Sequence, residues 1–273
     1  MNTYDYKYTD TLIKIDNVSL HFDDKIILKP ISIEVKDIVR PDVIQGQVIG
    51  ILGPSGCGKT QFSKILTGLN HPTTGSVTVG GKPVEPGIVG MVAQNYPLFN
   101  HRTVLGNLLI ALEQSNLSKK DALEKANQYL IMFDLLDKSK LYPSQLSGGQ
   151  RQRIAIIQEL LCSEHYLVMD EPFTGLDPLM KDKVCELINK VSNIHEENTI
   201  FVVAHDIAAL ASISDVLWLL GRDRDEQGKI IPGAYIKKEY NLIERGLAWR
   251  SDISTTREFS DFISEVKGEF KNL

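Results

Sequence analysis

The chain has 273 residues, enough for one large α/β domain or a main domain with a subdomain. Apolar residues make up 42% of it and the formal net charge is −5, which disfavours global disorder and a nucleic-acid binder with its basic surface. Three scattered cysteines, Cys57, Cys162 and Cys185, lack C-x-x-C spacing, so they fit neither a disulfide framework nor a zinc site and suit a reducing cytoplasm.

The opening MNTYDYKYTDTLIK is polar, without the basic and apolar regions of a signal peptide. No apolar run reaches the roughly 18 residues of a membrane span, so none is expected. LIKIDNVSLHF alternates apolar and polar residues and predicts a half-buried strand, with Ile13 and Ile15, then Val18, Leu20 and Phe22 on shared faces. DDK marks a turn and ILKPISIEV a second, antiparallel strand; KDIVRPDVIQGQ, with Pro41 and Gly46, is expected to be a loop. VIGIL is apolar throughout, as in a buried parallel strand, and TQFSKILTGL has helical spacing. GSVTVGGKPV predicts a hairpin, and IVGMVAQ a strand ending at Gln94. From about Thr103 to Leu136 helix formers dominate, predicting a helical subdomain inserted between strands (about 95–160), with YPSQ as its break. A helix after QLSGG, the strand HYLVMDEP, a helix from about Pro178 to Ile194 and the strand TIFVVAHD follow. Strands alternating with helices predict an α/β fold with a mainly parallel, doubly wound sheet behind an N-terminal antiparallel part.

GPSGCGKT matches G-x-x-x-x-G-K-[ST], the P-loop pattern. Its glycines let successive N–H groups turn onto phosphate oxygens, and the following helix adds its positive dipole end. Gly53, Pro54, Ser55, Gly56, Cys57, Gly58, Lys59, Thr60 and Gln61 are the candidate phosphate-binding residues. Lys59 supplies a charge to the β- and γ-phosphates and Thr60 a hydroxyl to Mg²⁺. YLVMDE ends in two acids that should point to opposite faces. Asp170 suits Mg²⁺ and Glu171 a general base acting on water. At other strand ends, Gln94 could touch Mg²⁺ or the water, and His205 the γ-phosphate.

Together these motifs resemble the nucleotide-binding subunit of ATP-binding cassette (ABC) transporters over roughly Leu12 to Leu220, leaving 221–273 as a C-terminal appendage. GPSGCGKT is similar to that family's Walker A motif, YLVMDE to its Walker B and LSGGQ, Leu146 to Gln150, to its signature. Gln94 lies at the Q-loop, GLD at Gly175 to Asp177 is the D-loop, and His205 the switch histidine. The resemblance implies a P-loop NTPase fold that binds and hydrolyses ATP with Mg²⁺. It further implies a head-to-tail dimer with a second copy or a paralogue, each ATP lying between the Walker A of one chain and Ser147, Gly148, Gly149 and Gln150 of the other, with Asp177 nearby. Phe22 falls where the family stacks an aromatic on adenine; the alternative is a core strand aromatic.

The same resemblance implies transmembrane permease subunits as partners, reached through Leu98 and Phe99, and a substrate-binding protein. It implies a peripheral place on the cytoplasmic face of the membrane, with no nucleic acid. A binding-protein-dependent importer is the leading expectation. An exporter or lipid-transport subunit, and a non-transport ABC protein of translation or DNA repair, are the alternatives. The tail vaguely resembles those of nitrate, sulfonate and taurine importers, with a packing role favoured over regulation. The 36–47 stretch is longer than is usual in the family, Gln61 stands where a second Thr or Ser is common, and the D-loop reads TGLD. Cys57 is expected either to be an incidental residue or to have a thiol whose pKa the loop's N–H groups and Lys59 depress.

Overall fold

The computed structural model describes residues 5–41, 43–113, 115, 117–163, 165–250, 252–271 and 273. Two sheets form its frame. β1 (Lys7–Phe22) turns at Asp23 and Asp24 into β2 (Lys25–Val39), and the two pair antiparallel over nearly their whole length. The apolar phase slips in β1: Ile13 and Ile15 are buried, then Val18 and Leu20. A register shift between Ile15 and Val18, with Asn17 at φ 51°, absorbs the extra residue and keeps both pairs on the core face. Phe22 does not share that face: it stands 47% exposed at the strand end. Lys36–Val39, expected to be a loop, continues β2, because the N-terminal residues of β1 offer them partners: Lys36 faces Thr11, and the buried Ile38 faces Tyr8.

β3 (Gln47–Leu52) is buried at every position and leads through the glycine-rich loop into α1 (Lys59–Leu66). β4 (Thr74–Val79) joins β1 antiparallel and β5 (Lys82–Pro83) closes the predicted hairpin, giving a four-stranded sheet of order β2-β1-β4-β5. β6 (Val89–Val92) opens the return to the parallel sheet.

Among the described residues the helical segment opens with α2 (Val104–Ala111) and α3 (Lys119–Met132). Each begins at a side-chain cap: Thr103 accepts from Gly106 N–H, and Ser118 from Asp121 N–H. α4 (Gly148–Cys162) packs on α2 and runs back to β7 (Tyr166–Asp170). α5 (Pro178–Ser192), β8 (Thr199–Ala204), α6 (Ile207–Ile213) and β9 (Val216–Gly221) complete the parallel part.

The tail adds β10 (Tyr235–Asn241), antiparallel to β9, so the second sheet has the order β10-β9-β3-β8-β7-β6. α7 (Arg257–Phe270) then buries Phe259, Phe262, Ile263 and Val266 on the main core, with Phe262 edge-on to Tyr240 at 5.3 Å.

The parallel sheet separates two cores by strand alternation. Ile49, Ile51, Val168, Phe201 and Val203 face the antiparallel sheet and α1. Val48, Leu52, Met169, Val202 and Leu219 face the other helices, where Leu108, Leu130 and Ile154 of the helical segment join the same cluster. The inserted helices are thus continuous with the main core.

Candidate functional site

The four strands β3, β8, β7 and β6 lie side by side and parallel, so the segments leaving them emerge along one edge. These segments carry the P-loop, His205, Glu171 and Gln94 respectively. In an open α/β sheet this carboxyl edge is where ligands bind. Ser55, Gly56, Lys59, Thr60, Gln94, Glu171, Thr174 and His205 line a cavity of about 260 Å³ there.

Gly56 and Gly58 take φ of 74° and 117°, the left-handed backbone that bends the loop over the start of α1. A Cβ at Gly58 would also press on Ile27 and Leu28 of β2. Gly58 caps α1 without a side chain, so the helix's first N–H groups point into the loop. Lys59 is 6% exposed; its ammonium donates to the carbonyls of Gly53 (2.8 Å) and Pro54 (3.2 Å) and lies 3.3 Å from Glu171 Oε1.

The strand alternation expected to separate Asp170 from Glu171 stops at Asp170. Glu171 has φ 55°, a left-handed turn unusual outside glycine, and its N–H donates to Val203 O at 2.7 Å. The turn swings its carboxylate to Lys59 on one oxygen and, on the other, to His205 Nδ1 at 2.7 Å and the Thr174 hydroxyl at 3.2 Å. Thr174 is a contact that sequence reasoning missed; its place three residues after an acid in a turn is the only signal it gives.

Asp170 is 7% exposed, and burial raises its pKa while the neighbouring Thr60 hydroxyl lowers it. Its Oδ1 is buried without a hydrogen-bond partner among the described residues. A buried carboxylate with an unmatched oxygen beside a hydroxyl suits a hard, oxygen-seeking cation such as Mg²⁺.

Cys57 corrects one expectation. Its thiol is 2% exposed and lies against Leu220 O, and burial pushes its pKa up, outweighing the downward pull of Lys59. The depressed thiol is not found, because burial outweighs the pull of Lys59 and of the loop's own N–H groups.

Phe22 is not among the residues lining this cavity, and neither is the LSGGQ turn. Ser147, Gly149 and Gln150 line a second cavity of about 580 Å³ with Met180, Arg153 and Lys183, and no lining residue is common to the two. Ser147 caps α4 reciprocally: Gln150 N–H donates to its hydroxyl at 3.3 Å and Gln150 Oε1 accepts from Ser147 N–H at 2.9 Å. A Cβ at Gly149 would meet Met180, whereas one at Gly148 would meet nothing within 4 Å. Asp177 caps α5, accepting from Met180 N–H at 3.1 Å.

Asn107 was also missed. Buried in the apolar VLGNLLIA of α2, it accepts from Phe99 N–H at 2.7 Å and donates to Phe99 O, Arg102 O and Thr103 O. It thereby holds the loop that leaves Phe99 43% exposed beside the half-buried Leu98. A buried amide inside an apolar helix was the available signal.

A family model described as ABC transporter matches residues 37–174. The spermidine/putrescine import ATP-binding protein of Thermotoga maritima is 35% identical over 215 residues, 76% of this chain but only 55% of that protein's length. The sulfate/thiosulfate import ATP-binding protein of Mesostigma viride is 32% identical over 256 residues, 92% of this chain and 71% of that protein. The solved structure of cbiO1 from Clostridium perfringens, part of the ABC transporter complex cbiONQ, superposes with a TM-score of 0.71 over 96% of this chain and 100% of its own; at 20% identity that likeness establishes the fold. With the P-loop, the paired acids, the strand-end histidine and the capped LSGGQ turn in place on that fold, this chain belongs to the ABC transporter family as an ATP-binding domain.

Proposed function

We propose that this chain is the ATP-binding and hydrolysing subunit of a binding-protein-dependent importer, acting at the cytoplasmic face of a membrane through separate permease subunits. Among the described residues no helix is long and apolar enough to cross a membrane, so contact with the bilayer would come through a partner. Both relatives named above carry import in their names. Within importers we place the chain nearest the nitrate, sulfonate and taurine type, on the form of its tail. Leu98 and Phe99, held out by Asn107, are the proposed permease contact.

The observation that carries the proposal is the separation of two phosphate-binding elements into two cavities. One is lined by Lys59, Thr60 and Glu171. The other holds a helix start without a lysine of its own motif. Gly148 reinforces this, since neither left-handed backbone nor any neighbour within the chain demands a glycine there. A glycine free of internal demands suits the close approach of a second molecule. In this reading two chains pair head to tail. The N–H groups at the start of α4 and the Ser147 hydroxyl of one chain complete the γ-phosphate site of the other.

The chemistry then divides among the residues. The loop N–H groups from Gly53 to Gln61 and Lys59 bind the phosphates, Lys59 turning to them from Glu171. Thr60 and Asp170, with Gln94, would hold Mg²⁺, which supplies charge to offset that developing on the phosphates. Glu171 takes the proton of the attacking water. His205, hydrogen-bonded to Glu171, aims it and reaches the γ-phosphate. Phe22, exposed beyond the cavity at the end of β1, offers a ring face to adenine. Asp177, the cap of α5, is our candidate for the dimer seam.

Glu171→Gln tests this reading directly. The variant is expected to bind ATP, to elute as an ATP-dependent dimer in size-exclusion chromatography, and to hydrolyse about 10²–10⁴-fold more slowly. Wild-type turnover in that variant would remove Glu171 from the role. Co-purification with a multi-span membrane protein and a binding protein for an anionic substrate tests the importer assignment.

A further inference from the structure

We propose a transition-metal site of the zinc class, built from His165, His195 and Glu197 at the end of the sheet opposite the P-loop. One ligand atom from each of the three residues lies within 4.8 Å of the others. The His165 and His195 rings are 4.5 Å apart, and His165 Nε2 stands 3.3 Å from Glu197 Oε2.

The protons on His165 are set by its neighbours. Asn198 Nδ2 donates to Val191 O at 2.9 Å, which orients the amide and leaves its Oδ1 facing His165 Nδ1 at 3.3 Å. An amide oxygen only accepts, so His165 Nδ1 is the nitrogen placed to donate to it, and Nε2 is the one that faces the Glu197 carboxylate. A ring nitrogen and a carboxylate oxygen at that distance need a proton or a cation between them. An imidazole whose far N–H is held by an oxygen is also the usual arrangement behind a metal-bound histidine. His195 lies exposed in the loop before β8, with its ring beside that of His165, and brings the second nitrogen.

The fit is geometric as well as chemical. Zinc bonds of about 2.0–2.2 Å in a tetrahedron set ligand atoms roughly 3.3 Å apart, so the widest pair must close by at most about 1.5 Å. The 193–198 connection, which belongs to neither a helix nor a strand, can absorb that movement. Water would fill the fourth position. His165 directly precedes β7 and Asn198 directly precedes β8, and Thr199 N–H donates to His165 O at 2.8 Å. A bound ion would therefore clamp together the starts of the two strands whose far ends carry Glu171 and His205.

The test uses the full chain, stripped with a chelator and without nucleotide, titrated with Co²⁺ and Zn²⁺ alone. Wild type is expected to bind one ion at this site, with visible cobalt bands of low-symmetry coordination, displacement by Zn²⁺ and a raised melting temperature. His195→Ala and Glu197→Gln alter exposed side chains and should fold as wild type does. Each should abolish the cobalt bands and weaken Zn²⁺ binding by at least 10–100-fold, the loss usual even for an outer-shell group. Equal stoichiometry and affinity in wild type and both variants, or no Zn²⁺ binding by wild type, would overturn the site. Because no nucleotide enters the measurement, either outcome leaves the ATPase assignment untouched.

Discussion

At the scale of single residues, burial decides the ionisation chemistry. Lys59 and Glu171 face each other almost out of solvent, where each unmatched charge would be expensive, so each stabilises the other. Asp215 is buried at the foot of β3, 4% exposed. Its Oδ2 accepts from Val48 N–H at 2.6 Å, and burial pushes its pKa up to about 7 against the opposing pulls of that N–H, the Trp249 indole and Arg40. Its folded pKa is raised above the ordinary aspartate value of about 3.9, so its stabilising contribution is complete below that value. The contribution is lost as pH rises through about 7. The loss can approach roughly 1 kcal/mol per pH unit across that window. Urea melts between pH 5 and 8 should show wild type losing stability more steeply than Asp215→Asn. Parallel slopes would show that the Asp215 carboxyl is already ionised over this range in the folded chain, with no raised pKa. Cys57 illustrates the same control, since its sequence context suggests a reactive thiol and burial reverses that.

At the scale of elements, helix starts carry both stability and ligand chemistry. The Ser147–Gln150 capping box satisfies the first donors of α4 from within the chain. Structural and functional parts of Ser147 can be separated. Ser147→Ala should lower stability by about 1 kcal/mol through the lost cap. Ser147→Asp keeps an acceptor at the cap and leaves the melting temperature within a few degrees. It sets a negative charge where the proposed partner's phosphate would lie, so ATP turnover should fall by about 10²-fold or more. Wild-type turnover in Ser147→Asp would separate the LSGGQ turn from the nucleotide. At β7 the device is a left-handed residue rather than a cap. The turn at Glu171 breaks the strand period and brings its carboxylate to Lys59.

At the scale of the molecule, the parallel sheet gathers one cavity from four strand ends, and the LSGGQ turn lines a different one. Under the proposed function a solitary chain lacks part of its own site. Specific ATPase activity, per mole of chain, should therefore fall on dilution and recover on concentration. A specific rate unchanged over about a thousandfold dilution would exclude head-to-tail pairing. The tail is built into the same body: β10 extends the sheet, α7 covers its core face, and Leu273 packs so closely on Gly221 that a Cβ there would lie 2.4 Å from its side chain.

What the sequence determined by itself was local. Period-two and fully apolar runs placed the strands, the glycine pattern placed the phosphate loop, and motif order placed the family, because each depends on neighbours within one turn or one strand. Only the tertiary structure decided whatever depends on distant partners. Lys36–Val39 became strand because β1 lay beside it, and Tyr235–Asn241 because β9 had an open edge. The Cys57 thiol was pushed up in pKa because it is buried beside Leu220, and Glu171, His205 and Lys59 met because three parallel strands end together. The physical reason is common to all of these. Backbone propensity is a property of a short segment, whereas burial, pairing and charge are fixed by residues brought close only when the chain folds.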